Sequence, residues 1–151
     1  MSPRRLAIAS LALLLAAPAL SGCVGTPQTC VSWVDFADAD DMAASATLVV
    51  VGVAEPATRT IELLSGQAEL HRVSIEEVRQ GDFDADELWA AAPRDYCVAD
   101  APQPSEDPIP VGERVVLFLN PAKGSPAPGD LEKVDAWSTL TPHAGVLPAS
   151  E

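Results

Sequence analysis

Histidine and serine are the side chains whose spacing first decides which chemistry this sequence allows. The only two histidines, His71 and His143, lie far apart in the chain, and no His-x-x-x-His or Cys-x-x-Cys spacing occurs. A zinc site or a histidine-based catalytic pair is therefore not predicted, and His71 is expected to face solvent at the start of a strand. No serine lies in a Gly-x-Ser-x-Gly elbow, so acyl transfer has no visible nucleophile. We predict no catalytic residue, no metal ligand and no cofactor, and hence no enzymatic activity.

Two acidic clusters have a spacing that suggests metal binding. Asp82, Asp84 and Asp86 alternate as at the start of a calcium loop, but such a loop needs Gly at its sixth position and Glu at its twelfth, where this chain has Glu87 and Pro93. An acidic surface turn is therefore the preferred interpretation, with calcium binding as the alternative. Asp38, Asp40 and Asp41 are interpreted in the same way, as carboxylates at the start of a helix.

The N-terminal segment combines Arg4 and Arg5 with an apolar run of Leu, Ala and Ile that ends at Leu20-Ser21-Gly22-Cys23. The run is shorter than the ~20 residues that a membrane span needs, which favours a cleaved signal. The ending resembles the lipobox of bacterial lipoproteins, and this resemblance implies cleavage before Cys23 and a diacylglycerol thioether on its sulfur. Two acyl chains anchor a protein stably to a membrane. An ordinary secretory signal with an incidental Cys23 is the alternative.

Charge and cysteine content limit what the mature protein can bind. Removal of residues 1–22 leaves 129 residues, enough for one domain, and leaves seven basic against 22 acidic residues, a formal charge of −15. Such a protein repels nucleic acid and anionic lipid headgroups, so nucleic-acid binding is excluded. Once Cys23 is acylated, Cys30 and Cys97 are the remaining thiols in an oxidising compartment, and we predict a disulfide between them. Two free thiols or an intermolecular bridge are the alternatives.

Hydrophobic patterning predicts a chain dominated by strands. Val73, Ile75 and Val78 are the expected inward residues of the longest one, with a bulge at Glu76-Glu77. Trp33, Trp89 and Trp137 could line a ligand groove, but at least two of them are expected to pack in the core or a seam. The predicted elements are a tether (23–29), an extended arm (30–36), a helix (38–46), a buried strand (47–54), a hairpin (58–64 and 67–78, turning at Ser65-Gly66), strands at 87–91, 114–120 and 134–140, and surface loops at 101–110 and 121–129.

Three stretches within residues 44–120, ATLVVVGVA, HRVSIEEVRQGD and VGERVVLFLN, resemble small exported bacterial proteins with an oligonucleotide/oligosaccharide-binding-type (OB) barrel. The same arrangement occurs in the netrin-like domains of tissue inhibitors of metalloproteases. The resemblance implies an all-β fold, a small closed or partly closed OB-like barrel of five to six strands with a short helix near residues 38–46. Those inhibitors bind the zinc ion of their target through the amine and carbonyl groups of a free N-terminal cysteine, whose sulfur is disulfide-bonded. This sequence departs from that pattern, because Cys23 is assigned to lipid and no Cys-x-Cys pair follows it.

These predictions combine into one hypothesis. The chain is a signal peptide (1–22), a tether (23–29) and a single domain (30–151) whose tail from Thr141 is only partly ordered. The domain is held on the outer face of a bacterial membrane through Cys23 and binds another envelope protein or a peptide, on a barrel face or in the loops at 101–110 and 121–129. Inhibition of an extracytoplasmic protease is the alternative function, by analogy of fold.

Overall fold

The computed structural model describes residues 30–63, 66–97, 106–122, 124–126 and 134–149. The predicted signal peptide, Cys23 and the tether lie outside the described residues. Within these ranges, no helix has the length and apolar character needed to cross a membrane. The described elements are α1 (Ala39–Ser45), β1 (Leu48–Ala54), β2 (Arg59–Leu63), β3 (Gly66–Gln80), β4 (Glu87–Ala91), β5 (Arg114–Pro121), β6 (Gly124–Pro126), β7 (Ala136–Thr139) and β8 (Val146–Pro148).

Five strands close into a barrel, in the order β1, β5, β7, β4, β3 and back to β1. The β4–β7 pair is parallel, and the other four pairs of the barrel are antiparallel. Closure gives each of these five strands a partner on both edges over part of its length, which is how a small barrel protects its backbone polar groups. The predicted all-β, OB-like barrel with a short helix before its first strand is therefore confirmed.

Strand β3 is long enough to pair with three neighbours. Its first half pairs with β2 on one edge and β4 on the other, and its second half pairs with β1. The β1 register skips Glu76 and Arg79, so the bulge predicted at Glu76-Glu77 is confirmed and a second one follows it. The inward prediction for Val78 is wrong, because its side chain is 38% exposed. Pairing with β4 stops at Ser74, so the end of β3 has a neighbouring strand on one edge only.

Both faces of β1 are buried, as its continuous apolar sequence predicts. Leu48 and Val50 point into the barrel, where they pack with Leu117 and Leu119 of β5. The alternate residues of β1 face outward and are covered by α1, by the arm through Phe36 and by the C-terminal segment. A third cluster forms between the β2–β3 hairpin and strands β4 and β7.

The C-terminal third of the chain contains two short strands that the hydrophobic pattern did not predict. The segment 121–129, predicted to be a loop, contains β6, which pairs with β2. The tail from Thr141 is ordered through residue 149, because β8 pairs with Val115–Leu117 of β5 and Leu147 packs on the outer face of the barrel. Strands of three residues are too short to show a hydrophobic period, so neither was visible in the sequence.

The remaining boundaries follow local chemistry. Asp38 caps α1, its carboxylate accepting a hydrogen bond from the Asp41 amide at 3.0 Å. The turn between β2 and β3 was predicted at Ser65-Gly66. Gly66 instead pairs with Leu63 and is the first residue of β3, and residues 64–65 between the strands lie outside the described residues. Gly81 directly follows the last residue of β3, and its φ of 92° is a backbone conformation that glycine adopts readily.

Candidate functional site

His71 lies inside the protein and not in solvent, so the prediction for this residue is wrong. Its side chain is 2% exposed. Strand alternation places His71 on the same face of β3 as Glu69 and as Val73, whose side chain belongs to the barrel interior. A polar ring at an inward position was not detectable from the sequence, because its hydrogen-bond partners Glu55 and Asp107 come from other segments of the chain.

Three elements converge on the imidazole ring. The Nδ1 atom lies 2.8 Å from the backbone carbonyl oxygen of Glu55, which follows β1. The Nε2 atom lies 3.2 Å from Oδ2 of Asp107, in the segment before β5, and 3.9 Å from Oε2 of Glu69. The ligand atoms of Glu69, His71 and Asp107 all lie within 4.8 Å of one another. We call these three residues the His71 cluster.

Asp107 reaches the ring because its segment is docked onto the barrel. Ile109 is 3% exposed and packs in the barrel interior, and Val111 forms a parallel bridge with Ala54 at the end of β1. The prediction of a surface loop at 101–110 is therefore wrong for residues 106–110, while residues 101–105 lie outside the described residues. One apolar residue in a proline-rich stretch gives no periodic signal, so its burial could not be anticipated.

The surroundings of His71 favour its charged form. Burial lowers the pKa of the ring, but the hydrogen bond to Asp107, the Glu55 carbonyl and the charges of Asp107 and Glu69 outweigh it, so the pKa is raised above its ordinary value. Both ring nitrogens face oxygen atoms that only accept hydrogen bonds, provided that the carboxylates are ionised. A charged ring, with a proton on each nitrogen, can donate to both acceptors at once.

Each carboxylate of the His71 cluster has one oxygen held by the protein and the other turned toward Nε2. The Ile109 amide donates to Oδ1 of Asp107 at 2.9 Å, which leaves Oδ2 facing the ring. The Arg94 guanidinium lies 3.6 Å from Oε1 of Glu69, which leaves Oε2 facing the ring. The three side chains therefore form a group that could hold a cation.

The other predicted site residues lie elsewhere. Asp82, Asp84 and Asp86 are exposed in the turn after β3, as expected for an acidic surface turn. His143 is exposed and its Nε2 lies 3.4 Å from Asp95. A disulfide joins Cys30 to Cys97, with the Cα atoms 5.6 Å apart, as predicted.

The tryptophans are mostly engaged in packing. Trp137 meets Phe83 edge to face at 5.9 Å and packs on the barrel interior. Trp89 packs on the third cluster and lies under the guanidinium groups of Arg59 and Arg72, at 5.3 and 6.0 Å from its ring centre. The expectation that two of the three would be packing residues is confirmed.

A groove of about 450 Å³ opens where β5 ends. The described residues that line it are uncharged and largely apolar. The groove and the His71 cluster lie near opposite ends of β1. Asn120 of the groove accepts a hydrogen bond from Thr47, just before β1, whereas His71 bonds to Glu55, just after β1. The lining residues are Leu63, Pro93, Asn120, Pro121, Ser138, Thr139 and Leu140.

Comparison with known proteins gives no relative. No family model, no curated protein sequence and no solved structure matches this chain.

Proposed function

We propose that this protein is a lipid-anchored extracytoplasmic binding protein, which holds an apolar peptide segment of a neighbouring envelope protein in the groove at the end of β5. The observation that carries the proposal is the position of this groove relative to Cys30, the first residue of the arm that follows the proposed tether. Pro93 lines the groove and lies four residues before Cys97, which is bonded to Cys30.

The length of the tether defines where the groove would operate. Six residues lie between the proposed lipid-bearing Cys23 and Cys30, and the seven Cα-to-Cα steps from one cysteine to the other span at most about 25 Å. Because the disulfide fixes Cys30 to the segment that forms one wall of the groove, a lipid on Cys23 would keep the groove close to the membrane surface. A juxtamembrane segment of another envelope protein is the partner within reach.

Charge defines the chemistry of that segment. The mature protein carries a formal charge of −15, which disfavours acidic partners and attracts basic ones. Among the described residues, those that line the groove are uncharged and include Leu63, Pro93 and Pro121. The expected ligand is therefore an apolar segment flanked by lysine or arginine.

A binding role also agrees with the hydrogen bonds of the potential catalytic groups. Both ring nitrogens of His71, and Nε2 of His143, face carboxylates or a backbone carbonyl and not a hydroxyl group or a thiol. The Ser138 hydroxyl in the groove donates to a backbone carbonyl. Nucleophilic catalysis needs a hydroxyl or thiol bonded to a base, and these contacts do not supply one.

Site-specific crosslinking in cells tests the proposal. A photoreactive phenylalanine derivative replaces Pro121, which is exposed at the groove, and in a matched control it replaces Asp84, which is exposed in the turn after β3. We expect a discrete crosslinked product from position 121 only, with the crosslink mapped to an apolar segment flanked by basic residues. Equal products from both positions, or none from position 121, would contradict groove binding.

The anchor is tested in the same cells by replacing Cys23 with Ala. The variant should move to the soluble fraction and lose the crosslinked product. A variant that stays with the membrane would show that the lipid anchor is not at Cys23. Protease inhibition stays a prediction from the resemblance alone, and no contact of the described residues favours it.

A further inference from the structure

We propose that Glu69, His71 and Asp107 bind a divalent transition-metal ion, Zn²⁺, at the end of the barrel where β1 finishes. The proposal is independent of the groove and of its ligand. It rests on the positions of three ligand atoms, on the groups that hold them and on the burial of the histidine.

The three ligand atoms lie within 4.8 Å of one another, near the spacing of a metal coordination shell. Tetrahedral zinc with bonds of about 2.0–2.1 Å places neighbouring ligand atoms about 3.3 Å apart. Nε2 of His71 lies 3.2 Å from Oδ2 of Asp107 and 3.9 Å from Oε2 of Glu69. Small rotations of the half-exposed Glu69 side chain would bring its oxygen to the same spacing.

The orientation of the His71 ring is fixed in the way that is usual for a histidine that binds a metal ion. Histidine ligands usually donate the second ring N–H to a carbonyl or carboxylate, which fixes the ring orientation and directs the other nitrogen at the ion. Here Nδ1 donates to the Glu55 carbonyl oxygen at 2.8 Å, and Nε2 points at the two carboxylates. The side chain is 2% exposed, so the orientation is fixed by packing as well as by the hydrogen bond.

The carboxylates are oriented in the same manner. The Ile109 amide holds one oxygen of Asp107, and Arg94 lies beside one oxygen of Glu69, so that each side chain turns its second oxygen to Nε2. Asp107 is 11% exposed and Glu69 is 48% exposed. The solvent side of the site is therefore at Glu69, where a water molecule can complete the coordination.

The donor set selects the class of metal. Imidazole nitrogen suits zinc and its transition-metal neighbours, whereas calcium and magnesium prefer shells of oxygen ligands. Three protein ligands with one open position match the zinc sites that keep a water ligand. Binding releases the Nε2 proton of His71, because a histidine ligand must be neutral at the coordinating nitrogen.

The consequence for the fold is a link between two segments that are distant in sequence. The ion would join β3 to the segment 106–110, which also contributes Ile109 to the barrel interior. Metal binding should therefore hold this segment onto the barrel at the end of β1.

Calorimetric titration of the mature protein, purified in detergent and stripped of metal with EDTA, tests the site with Zn²⁺ alone. We expect one Zn²⁺ per chain, and X-ray absorption of the loaded protein should show one nitrogen ligand with oxygen ligands completing the shell. Absence of Zn²⁺ binding by the stripped protein would overturn the proposal, as would a shell with no nitrogen or with sulfur.

Four variants assign the ligands. Glu69→Gln and Asp107→Asn should each weaken Zn²⁺ binding at least tenfold, and His71→Gln should abolish it. Glu69 is half-exposed, so Glu69→Gln should fold and keeps the test decisive if His71→Gln does not. His143→Gln is the matched control, since His143 is also paired with a carboxylate, and it should bind as the unchanged protein does. Unchanged binding by Glu69→Gln and Asp107→Asn, or loss of binding by His143→Gln, would contradict the assignment.

Discussion

At the scale of single residues, His71 is unusual because it is a buried histidine with an oxygen atom close to each ring nitrogen. A buried histidine with an oxygen acceptor at each ring nitrogen can be satisfied in two ways, as an imidazolium ion or as a neutral ring bound to a metal ion. The structure supports both by the same contacts, because Glu69 and Asp107 supply negative charge on the Nε2 side.

The protein held free of metal by EDTA should lose stability as the pH rises above neutrality. The pKa of His71 is raised in the folded state, so the folded protein binds the proton more tightly than the unfolded chain, whose histidine has a pKa of about 6.5. The stabilisation is fully present below about pH 6.5 and is lost as the pH passes through the raised value. Urea unfolding from pH 6 to pH 9 measures this slope.

The His71→Gln variant should lack this contribution to the slope, and His143→Gln should keep it, because the contacts of His71 are intact there. A slope of the same size in both variants would show that another group is responsible. A stability that rises over this range in the unchanged protein would contradict the direction of the pKa shift.

At the scale of elements, the predicted strands follow from hydrophobic pattern and turn chemistry. Strand β1 was predictable because its seven residues are apolar without interruption, and β4 because it is bounded by polar turns. The two three-residue strands, β6 and β8, were not, because each exists only through its neighbour in the sheet. The His71 cluster was hidden for a related reason: its members come from β3 and from a proline-rich segment whose docking depends on one residue, Ile109.

Strand β8 is an element whose importance the sequence did not indicate, and Leu147→Ala tests it. Leu147 packs on the outer face of β1 and β5 beside Val116 and Phe118. Truncating a fully buried leucine costs about 2–5 kcal/mol, and because Leu147 is partly exposed we expect a loss of about 1–2 kcal/mol in the free energy of unfolding. Chemical denaturation measures it.

Val34→Ala is the matched control for that loss, since it also truncates an apolar side chain but at a position that is 64% exposed. It should change stability by less than about 0.5 kcal/mol. If Leu147→Ala were equally silent, the packing of the C-terminal segment would not contribute to the stability of the fold.

At the scale of the whole molecule, one disulfide cross-links the N-terminal arm to the closed barrel. The Cys30–Cys97 disulfide spans 67 residues, which include α1 and strands β1–β4. It also ties Cys30, at the start of the arm, to the segment that carries Pro93 and Arg94. One bond therefore connects the arm to a wall of the groove and to Arg94, which lies beside Glu69. Through this bond the arm is fixed relative to both candidate sites.

Removing the disulfide should therefore destabilise the entire domain and not only the arm. In the chain-entropy model, closing a loop of this length stabilises the folded state by about 4 kcal/mol, and for a domain of this size such a loss lowers Tm by roughly 10–20 °C. The double variant Cys30→Ser/Cys97→Ser avoids leaving a single reactive thiol, and calorimetry under oxidising conditions compares it with the unchanged protein. Adding a reductant should lower the Tm of the unchanged protein toward that of the variant and leave the variant unaffected. Equal Tm values for the oxidised protein and the variant would mean that the barrel is stabilised by its apolar clusters alone, and that the disulfide serves only to position the arm.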